Sequence, residues 1–390
     1  MHQRLVGCVL FVLGAAGCTD FVGSNSDSTS TGTVESTGST GTSETNTPTS
    51  AGSETSTAGP TTTTSGTTTV DSTTGSTGTE TSGDTSSTGE PPPSCDNGIR
   101  DEDETDIDCG GPCEGCDFGQ GCAGGTDCDT GFCAVDFTCG LQPPVVWLDA
   151  SDPSTLFSDD ACVESPPTDG QQVYCWRNKG SHGGQFVDQG AQPHYLEADV
   201  GLEFGDDLLF SDDEVFGGEL DDVTVFVVQR EISSRNSFDF NLNHPAETNS
   251  ARYSTHIPWG SSRRVVFDIG GTNTERIRTP AGVIEVGETH LFAFVNSAEE
   301  SARMIRIDGT EHASGDGNLS ATASTVSIGS GAHIMVHEFR VYSPSPSPTH
   351  RTLIEGQLAC SWGMRDQLPA EHPFHADDGG DPSGCPPALE

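Results

Sequence analysis

Near the end of the chain a carboxylate, a guanidinium and a phenol recur at every second position: Glu338, Arg340 and Tyr342. Apolar Phe339 and Val341 separate them, which is the period of a strand buried on one side. The three polar side chains then share one face, and such a row hydrogen-bonds sugar hydroxyls, with an aromatic such as Trp259 stacking on the ring. The same residues fit a second arrangement, in which Glu338 and Arg340 belong to a cross-strand network and Trp259 packs in the core. Upstream, Asp101, Asp103, Asp106 and Asp108 form an acidic ladder whose oxygens suit a hard cation such as calcium. The ladder has neither the sixth-position glycine nor the twelfth-position glutamate of an EF-hand, so a solvated acidic loop competes with it. The twelve histidines are scattered without metal-ligand spacing.

Fourteen cysteines in a chain with one lysine, Lys179, point to an oxidising compartment outside the cytosol. Eight of them lie within 95–140, a segment too short to build an apolar core, so four disulfides are expected there. Cys113-Glu114-Gly115-Cys116 has the spacing of a redox or zinc motif. No βαβ pattern surrounds it, and no second such pair or histidine completes a zinc site, which leaves a structural disulfide role. Among Cys162, Cys175, Cys360 and Cys385, local closure favours Cys162–Cys175 and Cys360–Cys385, with the other pairings open. Cys8 and Cys18 sit in the first twenty residues. There Arg4 precedes an apolar run from Leu5 to Leu13, and small residues follow, the layout of a secretory signal. The run is far below the ~20 residues of a membrane-crossing helix. Ala15-Ala16-Gly17-Cys18 resembles the bacterial lipobox, which implies a signal peptide over 1–17 and a lipid on Cys18. Ordinary secretion with an unmodified Cys18 is the alternative.

The elements that must position these residues begin late in the chain. Residues 18–94 contain no Lys or Arg and are dominated by Ser, Thr and Gly, so they cannot offset their ordering entropy and should form a disordered tether. As a flexible coil its ends would lie ~50 Å apart. The cysteine-rich module over 95–140 follows. From 143 to 365 the texture changes to short apolar runs, among them Val145–Leu148, Val173–Trp176, Val223–Val228, Val265–Ile269, His290–Val295, Met304–Ile307, Val326–Ile328 and Ile334–Tyr342. Turn signals such as Asp308-Gly309 separate them. One helix fits, with Ser347 as N-cap, Pro348 in the first turn and an apolar stripe of Leu353, Ile354 and Leu358. Many strands with almost no helix predict an all-β, two-sheet antiparallel sandwich or jelly roll. Residues 366–390 read as an acidic tail.

The net charge of −43, from 59 acidic and 16 basic residues, divides as −9 over 19–94, −11 over 95–140 and −24 over 143–390. Every exported part is acidic, which excludes nucleic acid or anionic lipid as a partner through a broad basic surface. Membrane contact is expected only through the N-terminal lipid, and the chain is expected to be a monomer.

Trp147-Leu148-Asp149-Ala150-Ser151-Asp152, Tyr174-Cys175-Trp176-Arg177-Asn178-Lys179-Gly180 and Pro193-His194-Tyr195 resemble the opening of concanavalin A-like lectin/glucanase (laminin G-like) domains. His256-Ile257-Pro258-Trp259, Phe267-Asp268-Ile269-Gly270-Gly271, Ile305-Arg306-Ile307-Asp308-Gly309 and the closing Val336–Tyr342 segment are similar to later parts of that fold. The resemblance implies a curved jelly roll used at cell surfaces to bind glycans or proteins. Catalytic members carry an E-x-D-x-x-E strand, which this chain lacks, and no G-x-S-x-G elbow is present either. The expectation is a non-catalytic surface lipoprotein of the bacterial envelope, displayed at the outer membrane, that recognises an extracellular glycan or surface protein. The alternatives are a polysaccharide hydrolase with carboxylates from distant strands, or a purely structural envelope component.

Overall fold

The computed structural model describes residues 95–386, apart from 102, 165, 189, 243–251, 271–274 and 377–383. The signal segment, Cys18 and the tether lie outside the described residues, as do 377–383 and 387–390 of the acidic tail.

Two antiparallel sheets face each other. The first runs in the order Thr310–Asp316, Ala302–Ile307, Thr289–Ser297, Val223–Ser233, His333–Tyr342, Gly201–Phe204 and His194–Leu196, with Val146–Asp149 also paired to His333–Tyr342. The second runs Ile277–Arg278, Arg264–Gly270, Arg252–Trp259, Phe240–Asn241, Ser327–Gly329, Leu208–Ser211, Gln185–Asp188, Cys175–Arg177 and Leu156–Phe157. The all-β sandwich expected from the short apolar runs is therefore the fold. Alternation sets its core: Phe339 and Val341, Val225 and Val227, and Phe292 and Phe294 from the first sheet meet Phe240, Tyr253, Phe267 and Trp176 from the second. Asp308 and Gly309 both take positive φ, +48° and +76°, and form the two-residue hairpin turn between Ala302–Ile307 and Thr310–Asp316.

The central strands of the first sheet are buried on both faces, and Val223–Ser233 reads accordingly as an unbroken run, Val-Thr-Val-Phe-Val-Val, at its start. Phe226, Val228, Leu291, Ala293, Val295 and Met304 form a second apolar cluster on the face turned away from the sandwich core. The Pro348–Ser361 helix covers that face. Ser347 caps it, its side chain accepting the His350 N–H at 3.5 Å, with proline in the first turn. Ile354, Leu358 and Ala359 are buried against the sheet, and Leu353 packs at the margin.

The expected boundary at 365 falls short. Leu368 and His372 are buried, and Phe374 lies against Gly356 so closely that a Cβ there would come within 2.1 Å of its ring. The segment to 376 is held because the helix offers a bare glycine backbone to that ring.

All twelve cysteines of the described residues pair. Cys162–Cys175 and Cys360–Cys385 form as expected, and the module holds four bridges: Cys95–Cys113, Cys109–Cys116, Cys122–Cys133 and Cys128–Cys139. Buried cystines serve as the module's core. Phe118 of the module and Leu141 just after it join the apolar cluster beneath the helix.

Candidate functional site

Alternation places Glu338, Arg340 and Tyr342 on one face, but that face lies under the helix, and each residue is only 3% exposed. Glu338 accepts hydrogen bonds from Trp147 Nε1 at 2.7 Å, from Trp362 Nε1 at 2.6 Å and from the Arg340 guanidinium at 2.6 Å. Arg340 also donates to Gln357 Oε1 on the helix at 2.8 Å and lies over the Trp147 ring at 4.7 Å. Lys179 covers the same indole at 4.3 Å and bridges Asp149 and Asp152 at 2.9 and 3.3 Å. Burial would lower its ammonium pKa, yet the two carboxylates hold it above the ordinary value. Asn178 completes the set: its Oδ1 accepts the Trp147 backbone N–H at 2.7 Å. The opening motif, the Asn-Lys turn and the last strand thus form one polar clamp, and the open sugar-binding row expected at these three positions is corrected by the helix above them.

The acidic ladder is dispersed. Asp108 accepts the N–H groups of Asn97 and Gly98, both at 2.8 Å, and Asp106 accepts that of Gly121 at 2.6 Å. The Gly121 bond is the main reason the Asp106 carboxyl lies below its usual pKa. Asp101 accepts the Asn97 side chain at 3.0 Å, and Asp103 is exposed. No three of these four carboxylates come within 4.8 Å of one another. Asp101, Asp106 and Asp108 hold turns together.

Trp259 occupies a different environment from the other three expected ligand-binding residues. Within Arg252–Trp259, His256 pairs with Val266 of the neighbouring strand, and the register slips by one residue before Trp259 pairs with Arg264. Strict alternation would send Trp259 inward with buried Ile257, and the bulge turns it outward instead. Arg264, Val266 and Asp268 alternate with core residues Val265, Phe267 and Ile269, so they share the outer face. Arg278 pairs with Val266 and joins them. Arg276, two residues earlier, reaches the same face, where it bonds buried Asp268 and lies over the Trp259 ring at 5.3 Å.

The result is a cavity of about 300 Å³ with Val266 at its base, Trp259 as a half-buried aromatic wall, and Ser262, Arg264, Arg276 and Arg278 around it. Arg264 and Arg278 are exposed. Of the residues around this cavity only Trp259 is expected from the sequence, and the arginines are not. The visible signal is the alternation Arg264-x-Val266-x-Asp268 and Arg276-x-Arg278, which marks polar positions on one strand face.

A carboxyl pair also forms between the sheets. Glu231 and Asp239 are 4% and 3% exposed, and Asp239 accepts the Ile257 N–H. Burial first, and the neighbouring Asp239 second, push the Glu231 carboxyl up to about 10. Burial likewise raises Asp239 well above the ordinary range.

No family model matches the chain. No curated protein matches it either. Solved structures do match in part. The binding domain of botulinum neurotoxin DC in complex with SialylT is 10% identical with a TM-score of 0.38, and the match covers 47% of this chain and about half, 48%, of the toxin domain. The Ruminococcus gnavus IT-sialidase CBM40 is 14% identical with a TM-score of 0.28, covering 34% of this chain and 80% of its own. The Caenorhabditis elegans galectin LEC-6 is 17% identical with a TM-score of 0.24, covering 31% and 83%.

Proposed function

We propose that this chain is a non-catalytic carbohydrate-recognition protein displayed at a bacterial cell surface, and that the outer face of its second sheet carries the binding site. The observation that carries this reading is the outward-turned Trp259 at the wall of a cavity of about 300 Å³. A half-buried indole, packed on the His256 ring at 4.0 Å, offers the cavity an apolar, planar surface on which a sugar ring stacks, and polar side chains around it supply donors for hydroxyls. Glycan arrays probed with the exported chain and with Trp259→Ala test it. The variant should lose about tenfold or more in affinity while its circular dichroism stays that of the folded sandwich, the lost contact with the His256 ring lowering only its unfolding temperature. Equal binding by both proteins would remove this site from the proposal.

Binding without catalysis is supported by the placement of the acid pair. Glycoside hydrolysis needs two carboxyl groups flanking an accessible bond with room for water. Glu231 and Asp239 are enclosed between the sheets, with burial favouring their neutral forms. Anchoring through a lipid on Cys18 belongs to the same reading. Twelve of the fourteen cysteines are bridged, which leaves Cys8 and Cys18, and Cys8 falls within the expected signal segment.

A further inference from the structure

The arginines around Trp259 carry a narrower conclusion about what this site takes, one that rests on the carbohydrate reading above. In a chain with 59 acidic and 16 basic residues, an exposed guanidinium has many carboxylates available to it. Arg230, Arg235, Arg306, Arg340 and Arg351 each pair with one. Arg264 and Arg278 do not: among the described residues no carboxylate lies within 4.0 Å of either, and Arg264 donates only to the Thr279 carbonyl, at 3.1 Å. Arg276 is the third cation of the group, and Asp268 offsets it. Among the described residues the lining of the cavity therefore holds three guanidinium groups and no carboxylate, with Asp268 buried against Arg276 and Glu275 beside Gly270 further along the strand, a local surplus of positive charge on a strongly negative molecule.

Geometry makes the two unpaired groups act together. Arg278 lies across from Val266, and Arg264 is two residues along the same strand, so the pair is a diagonal one on a single face. Such diagonal neighbours are ~7–8 Å apart at the backbone, within the reach of two long side chains converging on one anion. A guanidinium fork matches the two oxygens of a carboxylate or of a sulfate ester, and it keeps its charge at any physiological pH. Trp259 stands beside these forks, where a ring bearing the anion would stack.

We infer that the ligand is an acidic saccharide, a sugar carrying a carboxylate or a sulfate, with the anion between Arg264 and Arg278 and the ring on Trp259. The overall charge sharpens this selectivity. A dense polyanion such as nucleic acid brings one charge per ~1.7 Å of duplex and meets repulsion from the surrounding acidic surface. A saccharide with spaced anions places one charge in the pocket at a time.

The exported chain, the double variant Arg264→Gln/Arg278→Gln and Trp259→Ala would be titrated with dextran, sparsely substituted carboxymethyl-dextran, sparsely substituted dextran sulfate, polygalacturonate and laminarin. A single-stranded oligothymidylate serves as a polyanion control. Acidic polymers should bind the unaltered chain more tightly than neutral ones, with affinity falling as salt rises. The double variant should lose about tenfold or more toward acidic polymers and keep its unfolding temperature, since both arginines are exposed. Carboxymethyl-dextran against dextran sulfate separates the two anions. Equal affinity for neutral and acidic polymers, or oligothymidylate bound as tightly as dextran sulfate, would overturn the acidic-saccharide inference. If only neutral polymers bind, and Trp259→Ala alone weakens them, carbohydrate recognition stands and the acidic inference falls. Silence with every glycan, on these polymers and on the arrays alike, defeats both.

Discussion

Glu231 enters the space between the sheets as an acid, not as a carboxylate. Its usual value near 4.5 is pushed up to about 10, first by burial and then by Asp239. Below the usual value both folded and unfolded chains hold the proton, and the group contributes nothing to the pH dependence. Between the two values the unfolded chain releases a proton that the folded chain keeps, so stability falls as pH rises through that window. Glu231→Gln removes this liability. Urea unfolding of the variant should show a gain of about 1–3 kcal/mol at pH 8 and a smaller one at pH 4.5. A gain that is the same at both values would rule out titration of Glu231 as the cause. Little of this is legible in the sequence. Alternation of apolar residues ends the strand at Val228, whereas it continues to Ser233 through Gln-Arg-Glu, and only the paired strands show that Gln229 and Glu231 remain inward.

At the scale of elements, one carboxylate fastens the covering helix to the first sheet. Glu338 receives two indole N–H groups and a guanidinium, and Arg340 extends the contact to Gln357 on the helix. Removing the carboxylate strands a buried guanidinium, a loss that costs about 3–5 kcal/mol. Glu338→Ala should lower the denaturant midpoint accordingly, and Glu338→Gln should lose less because it keeps an acceptor for one indole. An unchanged midpoint for the alanine variant would show that the clamp contributes nothing. The row of Glu338, Arg340 and Tyr342 was legible as a shared face, and the helix was legible from its cap and stripe. Their superposition was not, because it joins segments through tertiary packing that no local period encodes. The converse holds for Trp259. A single inserted residue between His256 and Trp259 reverses the side on which the indole emerges, and its partners Arg264 and Arg278 come from other strands. Eight short apolar runs separated by turn signals suffice to read the sandwich, since strand length and turn residues are local properties, and Met304–Ile307 and Ile334–Tyr342 add alternation.

For the molecule as a whole, acidity bears on the anchoring proposed above. A chain of −43 resists aggregation and adhesion to anionic membranes, so holding it at a bilayer requires a device other than surface charge. A lipid on Cys18, ahead of the Ser/Thr-rich stretch, would supply it. Cys18→Ser should move the protein from the membrane fraction to the medium or the soluble fraction and abolish incorporation of labelled palmitate. Persistence of the variant in the membrane fraction would point to another attachment.

The disulfide pattern carries a consequence for how the chain matures. The module's eight cysteines fall into two quartets, and in each the first joins the third and the second joins the fourth. The two later bridges join cysteines that are consecutive in the chain. A polypeptide threaded out from its N-terminus and oxidised in order of emergence would link Cys95 to Cys109 and Cys113 to Cys116, with the same error in the second quartet. The sandwich bridges would close correctly under an oxidase alone. Under such ordered oxidation the module's native links would require thiol–disulfide exchange, supplied by an isomerase or a reshuffling redox buffer, whereas the two later bridges would not.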